Sequence, residues 1–123
     1  MGYGKGTARR GVLLGVAAAG LLVAGVCGCY GPPPLTPEQA EGQHLYAGRC
    51  AHCHVENDLG LKPAPPNIQA VLTKPLLPSG AKASDQAVRD LVLKGKGKMP
   101  SFSGRFTEKQ MAALLAYLHT SMQ

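Results

Sequence analysis

Cys50-Ala51-His52-Cys53-His54 constrains the fold of this chain more than any other segment. Two thiols three residues apart on one helical turn stand on the same side, with an imidazole directly after the second. That spacing lets both sulfurs add to the two vinyl groups along one edge of a haem, and it brings His54 under the iron as the proximal ligand. The rest of the chain must then cover a large flat apolar plate.

The same cysteines permit other chemistry. A thioredoxin-like redox pair needs a strand before it and a helix after it. Here Thr36-Pro37-Glu38-Gln39 has the pattern of a capping box with proline at the first helical position, so a helix precedes the pair. A zinc site needs a second Cys or His pair at ligand spacing, and beyond the motif the sequence after Tyr30 offers only His44 and His119. A plain disulfide leaves His54 without a role. The motif therefore reads as the attachment point of one covalent haem c, through Cys50 and Cys53, with His54 as an axial ligand.

Composition agrees with a cofactor-dependent core. The chain of 123 residues has no Trp and two Phe, and a domain of roughly 85 residues so poor in aromatics buries little surface unaided. The first helix should run from Pro37 toward Cys50, with Gly42, Leu45, Tyr46 and Arg49 on one face. A second capping box, Thr107-Glu108-Lys109-Gln110, opens a C-terminal helix whose buried stripe is Met111, Leu114, Leu115 and Leu118, with Phe106 and Met111 spaced as a hydrophobic staple. Between them Ser84 caps a short helix bearing Val88, Leu91 and Val92 that stops at Gly95. The stretch from Val55 to Lys82 contains Pro63, Pro65, Pro66, Pro75 and Pro78. It cannot hold long regular structure, and an unstructured loop of that length in a small domain usually wraps something. The expected architecture is all-α, three to four helices with long loops around a missing core.

A second axial ligand is offered by Met99 in Gly95-Lys96-Gly97-Lys98-Met99-Pro100. The glycines let the backbone pass close to a flat ring and Pro100 stiffens the turn, whereas an isolated Met would by default only fill a gap. His/Met is a known pairing on haem iron. Met111 belongs to the buried stripe, Met122 to the chain end, and neither His52 nor His119 is placed as a ligand.

From Thr36 to Thr120 the chain resembles the class I cytochromes c. Beyond the attachment motif, Gly42 and Tyr46 stand where that family presents a glycine and an aromatic to the C-terminal helix, and the resemblance implies Leu114 and Tyr117 as their partners. Pro66-Asn67-Ile68 is similar to the segment whose proline carbonyl accepts a hydrogen bond from the proximal histidine, with Pro65 a near alternative. Two departures stand out: no Trp is present to bond a haem propionate, and no Gly follows His54. The resemblance implies a small cytochrome c fold over residues 37–123 and a carrier that passes electrons without transforming a substrate. It leaves two other readings of the module: a ligand-binding haem sensor or peroxidase-like protein with an open sixth position, and a cytochrome subunit of a larger dehydrogenase.

Ahead of that domain, Lys5, Arg9 and Arg10 precede a run from Gly11 to Cys29 that contains no charge. This is the pattern of an export signal, and its length lies between a signal core and a membrane span. Val26-Cys27-Gly28-Cys29 resembles a bacterial lipoprotein cleavage box, which implies lipidation at Cys29; an uncleaved run would instead span the bilayer with its positive end inside. Residues 1–29 thus read as an export signal or membrane anchor, and 30–36 as a proline-rich linker. Either way the domain lies in the bacterial cell envelope, on the periplasmic or outer-facing side, tethered to a membrane. Without Lys5, Arg9 and Arg10 the formal net charge of +6 falls to ten basic against seven acidic side chains. Lys94, Lys96 and Lys98 are bunched beside Met99, which suits docking on an acidic membrane oxidoreductase or oxidase at the haem edge. Nothing in the sequence pairs basic with aromatic residues as nucleic-acid binding requires.

Overall fold

Helix α1 spans Pro37–Arg49, α2 Ala51–His54, α3 Asp85–Lys94 and α4 Glu108–Leu118, with one 3-10 turn at Val71–Thr73. The computed structural model describes Gly2 and residues 31–121. The remainder of the export or anchor segment, with Cys29, lies outside the described residues, as does Met122. Among the described residues no helix is long and apolar enough to cross a membrane. The all-α expectation holds, and the described domain has four α-helices.

α1, α3 and α4 start where their caps place them. Thr36 Oγ1 accepts from the Gln39 amide at 3.2 Å while Gln39 Oε1 accepts from the Thr36 amide at 2.9 Å. Thr107 and Gln110 repeat the exchange at 3.1 and 3.0 Å. Each cap is worth about 1 kcal/mol, enough to fix the entry of a short helix that would be marginal alone. Ser84 Oγ caps α3 through the Ala87 amide at 3.2 Å. α3 ends at Gly95, where φ is +73° and an added Cβ would lie 2.6 Å from the Met99 carbonyl oxygen. Only glycine lets the chain turn back there on the segment carrying Met99.

α1 packs on α4 through Gly42. A Cβ at that position would sit 1.9 Å from the Ala113 carbonyl oxygen and 2.7 Å from Tyr117 Cβ. Tyr46, one turn later, meets Tyr117 with ring centroids 5.4 Å apart and planes tilted by 52°, the favoured arrangement for an aromatic pair. The resemblance implied Leu114 as one partner of this pair. In the structure Gly42 lies against the backbone carbonyl of Ala113, where the lack of a Cβ on Gly42 permits the close approach. Leu114 turns into the shared core at 1% exposure.

We expect Gly42→Ala to destabilise the domain. Better helix propensity returns about 1 kcal/mol, but the new methyl meets backbone rather than a yielding side chain, and overpacking of that kind costs about 3 kcal/mol. The net loss lowers the melting temperature by roughly 10–15 °C in a domain of this size. A variant that melts with the parent would show that α1 and α4 separate at no cost.

Both ends of α4 are tied to the first half of α3, by Arg89 Nη1 on Glu108 Oε2 at 2.8 Å and His119 Nε2 on Asp85 Oδ1 at 2.6 Å. Such exposed pairs add little stability. They do fix how α3, and the turn that follows it, sits over the core. The core itself gathers Tyr46, Val71, Leu77, Val88, Val92, Met111, Leu114 and Leu118. The proline-rich stretch has only the Val71–Thr73 turn and an isolated bridge between Leu76 and Lys82. Its role is to wrap: Leu61, Pro65, Ile68, Val71 and Leu77 border the two cavities described next.

Candidate haem site

α1 hands over to α2 at Cys50, whose amide donates to the Tyr46 carbonyl at 2.8 Å. The amides of Cys53 and His54 both return to the Cys50 carbonyl, at 3.1 and 2.9 Å. This single tight turn places Cys50, Cys53 and His54 on the wall of one cavity. Both thiols are free, Cys50 buried and Cys53 half-buried. Burial pushes the Cys50 thiol up to about 11, against a smaller opposing pull from the Arg49 charge. That is the opposite of the lowered value that makes a cysteine a reactive nucleophile.

His54 is oriented by the proline-rich loop. Its Nδ1 lies 2.7 Å from the Pro66 carbonyl oxygen. A carbonyl only accepts, so Nδ1 carries the proton and Nε2 keeps the lone pair that a metal requires. His52, on the exposed side of the turn, is occupied differently. Its Nδ1 bonds Asp58 Oδ2 at 2.9 Å, with Glu56 Oε2 at 3.8 Å, and the hydrogen bond accepted by Asp58 raises its pKa. His52 thus joins two carboxylates in a surface trio outside the cavity lining.

Met99 reaches the same cavity from the turn after α3. The turn is closed by Lys96 and Met99 exchanging amide hydrogen bonds at 3.1 and 3.0 Å, with φ positive at Gly95 and Gly97. Beyond it, Ser101 Oγ donates to the Leu93 carbonyl at 2.5 Å and the Phe102 amide to the Val92 carbonyl at 3.0 Å, pinning the return strand to α3. Most of the remaining lining is apolar, with Val88, Val92, Phe102, Leu114 and Leu118 among it, together with Arg49 and Lys98. A second cavity is bounded by Pro66, Ile68, Val71 and Leu77 and again borders His54 and Met99. Two thiols at one end, an imidazole nitrogen, a thioether and apolar walls are the donor set and surroundings that a covalently held haem requires. Tyr46 Oη, buried here without a hydrogen-bond partner, shows further that the pocket's polar needs are not met by the protein alone.

Comparison with known proteins agrees with this geometry. Residues 37–118 match the family described as cytochrome c oxidase, cbb3-type, subunit III. The chain belongs to this family of monohaem c-type cytochromes. The cytochrome is also similar to cytochrome c6 of Picosynechococcus, at 30% identity over 82% of this chain and 88% of the relative. It is 30% identical to cytochrome c6 of Synechocystis, over 87% of this chain and 85% of that protein. Cytochrome c6 of Thermosynechococcus vestitus is 32% identical over 71% and 73%. It is thus an electron carrier rather than an enzyme, with one covalent haem c held through Cys50 and Cys53.

The sequence reading did not name Leu61 or Phe102, which line the cytochrome's pocket, and it placed Arg49 on one face of α1 with Gly42, Leu45 and Tyr46 without giving it a role there. Arg49 borders the cavity, but its side chain does not join the buried face of α1. It lies over the Phe106 ring, 4.8 Å from the centroid, and Nη1 donates to the Arg105 carbonyl at 2.8 Å. The available signal was a cation in the last turn of a helix, which ordinarily means no more than a favourable dipole contact.

Proposed function

We propose that the cytochrome is ligated by His54 and Met99 and exchanges electrons with a membrane oxidoreductase or oxidase on the outer side of a bacterial membrane, where its own N-terminus tethers it. The observation that carries the ligation is the meeting of His54, with Nδ1 already engaged, and Met99 in the cavity that holds both cysteines. The bound haem supplies a one-electron centre whose iron passes between ferric and ferrous. His54 contributes a nitrogen donor whose ring is held in orientation by the Pro66 carbonyl. Met99 contributes a soft sulfur that favours the ferrous state, and the apolar walls keep water away. With both axial positions filled, little reorganises on electron transfer. A sensor or peroxidase-like role needs an open position, and the doubly bonded turn that holds Met99 argues against one.

The tether rests on sequence: the uncharged run from Gly11 to Cys29, the basic residues before it and the prolines after it. The matched family's description, an oxidase subunit, supports a membrane complex as partner. Docking falls to the lysines beside Met99. Lys94, Lys96 and Lys98 are all exposed; Lys94 lies 3.8 Å from Asp90, and Lys98 Nζ donates to the Lys62 carbonyl at 3.2 Å.

Exchanging Lys94, Lys96 and Lys98 together for Gln should slow electron transfer to an acidic partner about tenfold at low salt, through the association rate. The gap should close as salt rises and the charges are screened. Stopped-flow rates across an ionic-strength series test this. Equal rates for parent and variant throughout would make the lysines a solvated surface with no part in docking.

A further inference from the structure

The segment that returns from Met99 to α4 is held on two sides. On one it is pinned to α3 by Ser101 and Phe102. On the other, among the described residues, one hydrogen bond joins it to α1: Arg49 Nη1 on the Arg105 carbonyl, 2.8 Å. The same guanidinium covers the Phe106 ring. Phe106 in turn packs on Phe102, with centroids 5.8 Å apart, and both rings line the cavity with Met99. Arg49 is the residue immediately before Cys50, so a short chain of contacts runs from the attachment turn through Arg49, Phe106 and Phe102 to the arm that carries Met99.

We infer that Arg49 is a positioning residue: a latch that holds the Met99 arm closed against the cysteine-bearing turn and so sets how readily the sixth coordination position opens. This rests on the reading of Met99 as a ligand. The latch uses features that only arginine combines. Its flat face covers an aromatic ring while an edge nitrogen donates to a carbonyl, and it cannot lose its charge. A lysine keeps the charge and a donor but not the flat face. The pairing costs little to order, because Arg49 extends from the end of a capped helix and Phe106 is already fixed by its place before the Thr107 cap.

The test is imidazole binding to the ferric, haem-loaded protein, followed by absorbance well below the melting temperature. Arg49→Ala should bind imidazole about tenfold faster than the parent, and Arg49→Lys should fall between them, as loss of an exposed cation–aromatic contact and one charge-assisted hydrogen bond allows. In a Met99→Ala background the position is already open, so Arg49→Ala should change nothing further; an equal acceleration there would mean that Arg49 acts on general access rather than through Met99. If Met99→Ala differs from the parent while Arg49→Ala matches it, the latch is overturned and the ligation stands. If Met99→Ala itself matches the parent, the ligation reading falls and takes the latch with it. A merely structural role lowers the melting temperature without altering imidazole binding.

Discussion

Met99→Ala in the haem-loaded, reduced protein should bind carbon monoxide at least ~100-fold more tightly than the parent. In the parent the entering ligand competes with the thioether, and its apparent affinity is reduced by the fraction of molecules in which the position is free, a fraction of about 1% or less when the arm is closed. The variant removes the competitor and leaves everything else. Cys50 and Cys53 still hold the ring, Pro66 still orients His54, and the turn from Lys96 to position 99 keeps its backbone hydrogen bonds, which use no side-chain atom. The colour should therefore survive while the axial chemistry changes. Carbon monoxide titration of the two proteins decides it. Equal binding would mean that the Met99 side chain only fills space and that another group, or none, occupies the sixth position.

The parts of this molecule that follow local rules were legible in its sequence. Both capping boxes, the Ser84 cap and the stop at Gly95 are decided by residues three or four apart, and each appears at the expected position. The attachment turn was legible for the same reason, since its chemistry fixes its spacing. The proline-rich loop could be read only negatively, as a stretch unable to form helix. That its Pro66 carbonyl meets His54 across twelve residues came from the resemblance, not from any pattern in the loop. What the sequence hid was contact between elements. Gly42 lies against the backbone carbonyl of Ala113, a contact that no side-chain spacing encodes. Arg49 lies over Phe106, fifty-seven positions away, through a pairing that no periodicity encodes. Leu91, placed on the buried face of α3 with Val88 and Val92, is only half-buried; unlike them it also borders a surface pocket with Ala87, Asp90 and Lys94.

Replacing Cys50 and Cys53 together by Ser should abolish cooperative folding as well as colour. The two cavities occupy the middle of the domain, and much of what the core offers faces them: Val88, Val92, Leu114 and Leu118 border one, Val71 and Leu77 the other. Without a ring between them these side chains line space open to water instead of packed atoms. Each ~100 Å² of apolar surface covered contributes about 2.5 kcal/mol, so a few hundred Å² of ring and wall equals the whole ~5–15 kcal/mol by which a domain is normally stable. Against this stands the packing of α1 on α4 through Gly42, Tyr46 and Tyr117, with its caps. That contact is real but small, and the long loop from Val55 to Lys82, with its one 3-10 turn and bridge, still has to be ordered against its chain entropy. The balance tips toward unfolding. Circular dichroism and a thermal melt of the purified double variant measure it: the expected result is reduced helicity with a broad, sloping melt. Parental helicity with a sharp transition would show that the two crossed helices suffice, and that the ring is cargo in this fold rather than its core.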